Sequence, residues 1–163
     1  DTSSGCISER ELLEWGGADA VETVEALTLR SRALATLDPH LPRLTSLSVL
    51  SLSHNRISSL RGYGALRALT SLNVNFNALT SLDGIEGCRS LTSLYASNNR
   101  IRSLEPLASC EGLTAVSLFR NALATLDASV FVLRALPGLT ELDLDGNPCA
   151  REEGYRQRCA EAL

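Results

Sequence analysis

Leucines and their substitutes fall at fixed intervals along most of the chain. Each interval follows one frame, L-x-x-L-x-L-x-x-N-x-L, with Val, Ala, Ile or Cys allowed at one apolar slot. The closing asparagines are Asn55, Asn77, Asn99, Asn121 and Asn147, separated by 22, 22, 22 and 26 residues. Such a period is the mark of a stacked-repeat solenoid, in which each unit buries its apolar face only against its neighbours. The L-x-L centre has period two and predicts a short strand with one face buried. Parallel pairing of these strands predicts a curved sheet, with the Asn where the chain turns away. A buried Asn amide there can satisfy backbone groups of its own and the adjacent coil.

Six coils align. The first reads Val24–Leu27–Leu29–Arg32–Leu34, with Arg32 in the Asn slot, a degenerate terminal unit. The second opens at Leu47, the third at Leu69, the fourth at Leu91, the fifth at Leu113 and the sixth at Leu139. A 22-residue coil leaves room for only one or two helical turns on the return path, partly 3-10 in character. The longer last interval contains VFVLRALPGL and predicts a convex helix over residues 128–136 that stops before Pro137.

Both ends predict helical covers. Residues 7–15 read as an amphipathic helix with Ser8 as N-cap, Glu11 completing a capping box, Ile7 and Leu12 as staple, and Gly16-Gly17 as the stop. Leu12, Leu13 and Trp15 are expected on the first coil. Residues 151–162 read as a second helix burying Tyr155, Cys159 and Leu163. The whole chain is therefore expected to be one domain, residues 1–163: an N-terminal cap over 1–23, repeats over 24–147 and a C-terminal cap over 148–163.

Composition narrows the functional classes. A net charge of −4 gives no overall basic field for nucleic acid, and no apolar run reaches the length of a membrane span. The five cysteines form no C-x-x-C pair, so neither a zinc site nor an even disulfide framework is expected, and a reducing compartment is favoured. Cys88 and Cys110 share one slot in adjacent coils. They are either small buried hydrophobes or, with coils about 4.8 Å apart, partners in a disulfide. His40 and His54 have no triad or phosphate-loop context, so no catalytic site and no cofactor is expected.

Phrases such as LSHNRISSL, LNVNFNALTSLDGIEGC and LYASNNRIRSLEPLASC resemble the leucine-rich repeat proteins of the 22-residue class. That class includes the regulatory subunit of type-one protein phosphatase and many axonemal and centrosomal proteins. The tail GNPCAREEGYR is similar to its intracellular cap. The resemblance implies an α/β right-handed solenoid: six parallel strands on a concave face, helical or 3-10 elements on the convex side, helical caps at both ends. It implies a non-enzymatic scaffold in the cytoplasm, in a ciliary, basal-body or centrosomal assembly. A phosphatase regulator and a nuclear ribonucleoprotein scaffold are the alternatives. Family caps usually run on into a closing strand, so a polypeptide extending past Leu163 is also expected, as is association with a longer self chain or a coiled coil.

Alternation along the strands assigns the outward positions. Most are small and polar. Against them Phe76, Tyr95, Phe119 and Arg120 form the expected centre of a protein-binding patch, flanked by Asn73 and Asn75. Asp143 and Asp145, with Glu141, form an acidic end suited to a basic partner. They alternate on one strand without His or Cys, so no metal site is expected.

Overall fold

The computed structural model describes residues 5–163, so the first four residues of the expected N-terminal cap lie outside the described residues. Six three-residue strands pair in parallel and in sequence order: β1 (Ala26–Thr28), β2 (Val49–Ser51), β3 (Ser71–Asn73), β4 (Ser93–Tyr95), β5 (Ala115–Ser117) and β6 (Glu141–Asp143). Their register sets Leu27, Leu50, Leu72, Leu94, Val116 and Leu142 side by side. All of these are buried except Leu142, which is half-buried on the last coil. A fully buried leucine contributes about 1.5–3 kcal/mol, and the repeat supplies several per coil.

The asparagine ladder forms as the frame predicts. Asn99 donates to Val74 O at 3.0 Å in the preceding coil and to Ala96 O at 3.1 Å in its own, and accepts from Leu79 N. Asn55, Asn77, Asn121 and Asn147 repeat this bridge to the coil before. In the degenerate first coil Arg32 presents only its backbone N–H, which donates to Asn55. A second ladder, missed in the sequence, ties the opposite flank. Thr70, Thr92, Thr114 and Thr140 each donate a hydroxyl to a carbonyl one coil earlier. The signal was the repeated Leu-Thr before β3, β4, β5 and β6.

On the convex side the return paths of the first to fourth coils are 3-10 turns: Leu41–Arg43, Tyr63–Ala65, Ile85–Gly87 and Glu105–Ser109. Gly64 and Gly87 let two of these turns touch, since a Cβ on Gly87 would lie 2.5 Å from Gly64 O. The thiols of Cys88 and Cys110 are free, and Cys88 Sγ donates to Tyr63 O at 3.1 Å while Cys110 Sγ points to Ile85 O. Burial pushes Cys88 up to about 12 and Cys110 to about 11, so both stay protonated and unreactive near neutrality.

The caps follow the prediction with shifted limits. The first helix, α1, is Glu9–Gly16, not 7–15, because Ser8 sits outside it as the N-cap and Gly17 closes it in the left-handed region. Its capping box is present, Leu12 is buried, and Leu13 and Trp15 pack on the core. The convex helix α2 is Leu126–Leu133, two residues early, because Glu152 accepts from Leu126 N and so caps it from another coil. The C-terminal segment is not one helix over 151–162: a 3-10 turn, Pro148–Arg151, precedes α3, Tyr155–Ala162, with Gly154 at φ 72° between them. Cys159 is buried and Tyr155 packs on the core, but Leu163, expected inside, is 47% exposed because α3 ends at Ala162.

Candidate protein-binding face

The concave sheet presents the predicted columns. Asn73, Tyr95, Ser117 and Asp143 are in register across β3 to β6. The surface is shallower than alternation alone implies. Ala115, Ser53 and Ser97 are buried, since the curved sheet brings outward positions together, and Ser97 and Ser117 hydroxyls lie 2.9 Å apart.

Two expected contact residues serve the turn as well as the surface. Asn73 accepts from Asn75 N at 3.0 Å, and Asn75 accepts from Ser97 N at 2.7 Å, so both are half-buried and partly satisfied. Asp143 repeats the Asn73 bond by accepting from Asp145 N. Asp145 faces Tyr155 of α3, whose phenol is pushed up from its ordinary range, first by burial and then by that carboxylate.

Tyr95 is 37% exposed and borders a hollow of roughly 180 Å³. Ala115 and Ser117 lie beside it, and Glu141 and Asp143 close its far side. An aromatic face next to two carboxylates suits a guanidinium or ammonium group. Phe119 is half-buried, with the Arg120 guanidinium 5.2 Å from its ring centre.

Two of the four expected contact residues, Phe76 and Arg120, sit on the turns after β3 and β5 rather than on the strands. Phe76 is 47% exposed and stacks on His54 with ring centres 4.3 Å apart. The cause is backbone conformation. Ser31, His54, Phe76, Asn98, Arg120 and Gly146 all have φ between 52° and 76°, because each coil turns sharply after its strand. Side chains at this slot leave the sheet face for the flank. A bulky residue rarely adopts such a φ, and the alternation rule had no means of showing it. The same turn places Arg30 Nη2 3.3 Å from His54 Nε2.

Among the described residues no group of three or more His, Cys, Asp or Glu could hold a metal ion, and no helix is long and apolar enough to cross a membrane.

A two-copy leucine-rich repeat model matches residues 45–87 and a single leucine-rich repeat model matches residues 90–113. No curated protein sequence matches the chain. Among solved structures, a leucine-rich repeat protein of Leptospira interrogans is 28% identical at a TM-score of 0.75, over 87% of this chain and 36% of its own. Internalin C2 of Listeria monocytogenes is 27% identical at a TM-score of 0.65, over 77% of this chain and 52% of its own. The Drosophila melanogaster SNF/U2A′ complex is similar in fold, with 24% identity, a TM-score of 0.59, and 66% and 63% of the two chains covered. The chain thus spans about a third to a half of the Leptospira and Listeria proteins.

Proposed function

We propose that this leucine-rich repeat protein is a non-enzymatic scaffold that docks a protein partner on the concave sheet, around Tyr95 and Phe119. The observation that carries it is Tyr95, exposed at mid-sheet over a hollow edged by Glu141 and Asp143. Large aromatics among small polar side chains are the usual anchors of an interface. The carboxylates favour a partner that brings a basic residue to that hollow. Asp145 supports the acidic end by its charge, although it also faces Tyr155.

We further propose a cytoplasmic setting in a ciliary, basal-body or centrosomal assembly, on the resemblance of the repeat phrases alone. Phosphatase and ribonucleoprotein partners are the competing outcomes of one experiment: capture from lysate on the immobilised chain, with the bound proteins identified by mass spectrometry. Replacing Tyr95 and Phe119 together with Ala is expected to remove the partner while leaving Tm nearly unchanged. Capture that survives the double substitution rejects the concave site. A basic partner lost on Tyr95→Ala but retained by Glu141→Gln would reject the acidic half of it.

A further inference from the structure

All 15 basic side chains counted as Lys or Arg are arginine. Arg30, Arg32, Arg56, Arg100 and Arg120 lie on the turns that follow the strands, on the flank carrying the asparagine ladder, and all five are exposed. Through the first five coils these turns read LRSRAL, LSHNRI, VNFNAL, ASNNRI and LFRNAL, without one carboxylate. The net negative charge of the chain therefore hides a local positive row. The close ion pairs among the described residues belong to other arginines, Arg43 and Arg158. Glu11, the acid lining the recess beside Arg32 and Arg56, is engaged with Ser8 in the capping box of α1.

We propose that this flank docks an acidic segment of a protein partner, with Phe76 seated against an apolar residue within that segment. Arginine supports this more than a generic positive charge would, because its fork of donors matches a carboxylate in two bonds. Three of the five guanidinium groups are already positioned. Arg32 lies 3.9 Å over the Trp15 ring, Arg120 lies over Phe119, and Arg30 is tied to His54. Stacking covers the flat face of a guanidinium and leaves its edge donors for an incoming acid. Phe76 breaks the row in the third coil, where no arginine stands, and it is nearly half exposed. An apolar anchor inside a charged row is what a mixed acidic and apolar segment recognises.

The row also limits the occupant. From the first to the fifth coil it covers four steps of about 4.8 Å, roughly 19 Å, which an extended chain spans in about six residues. A longer polyanion following the same flank would run into the sixth coil, where Asp145 replaces the pattern. Charge and length therefore favour a short protein segment over a nucleic-acid strand.

The test does not depend on the concave-face reading. Fluorescence anisotropy of the whole chain is measured with a labelled peptide of three glutamates, a leucine and three glutamates. Binding is expected at low salt and weakens as salt is added. Arg56→Glu with Arg100→Glu is expected to lower affinity at least tenfold, with circular dichroism unchanged. Arg67→Glu with Arg89→Glu, exposed positions on the opposite flank, is expected to change it less than twofold. Phe76→Ser is expected to weaken the leucine peptide several-fold and to leave its serine counterpart unaffected. Equal losses in the two charge-reversal pairs, no loss in either, or tighter binding of a six-nucleotide single strand would each overturn the proposal. Binding that vanishes with Tyr95→Ala alone instead would move the acidic peptide to the concave face and overturn it as well.

Discussion

The third and fourth coils and the fifth are built on the same strand register and the same asparagine bridge, yet their outer walls have little in common. In the middle of the stack the wall is one 3-10 turn thick, and glycine backbones touch: Gly64 against Gly87, and Gly84 against Leu60. The slot three residues before each strand frame holds Cys88 and Cys110 there, where the flanking coils carry Leu44, Leu66 and Leu136. Before the sixth strand, four more residues allow α2, which packs by side chains (Val130, Val132 and Leu133) and is braced by α3. The concave side is set by strand spacing and by hydrogen bonds that must be satisfied. The convex side needs only enough apolar volume, and it accepts either backbone contact or a helix.

That contrast can be broken by placing one charge in each region. Leu94→Asp puts a carboxylate at a fully buried centre, and it is expected to cost more than about 4–5 kcal/mol and end cooperative unfolding. Leu142→Asp, half-buried at the end of the sheet, is expected to cost about 1–3 kcal/mol and leave one urea transition. Equal losses would mean the stack does not depend on its middle.

Glycine tests the thin wall directly. Gly84 holds φ 106°, and a Cβ there would lie 2.1 Å from Leu60 O. Gly84→Ala is expected to cost about 3 kcal/mol or more in thermal and urea unfolding, through strain and displaced backbone. At Gly138, beside the thicker wall, the nearest atom would be 3.6 Å away, ordinary contact. Gly138→Ala is expected to change stability by less than about 0.5 kcal/mol.

The smallest effect sharpens the comparison by pH. Cys88 and Cys110 titrate at about 12 and 11 in the folded chain, against 9.0 for an ordinary thiol. The unfolded chain releases these protons first, so stability is full below pH 9 and falls as pH rises toward 12. Cys88→Ala with Cys110→Ala is expected to lower stability at pH 7 but flatten that alkaline decline. An unchanged slope from pH 9 to 11 would show that the thiols are not buried as described.

How far the sequence could be read varies from residue to residue. The strand centres, the asparagine bridges and the capping box at Ser8 and Glu11 were legible, because each depends on contacts one period or a few residues apart. The limits of α2 were not, because Glu152 reaches Leu126 across 26 residues. Nor was the break at Gly154, which divides the C-terminal cap. Tyr95 and Phe119 were placed on the accessible side by alternation alone. The direction of Phe76 and Arg120 was not legible, because alternation ends where the left-handed turn begins.

Periodicity by itself determined the repeat number, the strand phase and the inward leucines, since those follow from local geometry copied six times. Tertiary structure decided which outward side chains meet: Tyr95 beside Glu141 and Asp143, Phe76 on His54, and a run of arginines along one flank. Such groupings depend on sheet curvature and on the hand of the turn after each strand. Both are properties of stacked coils, which no single coil's sequence carries.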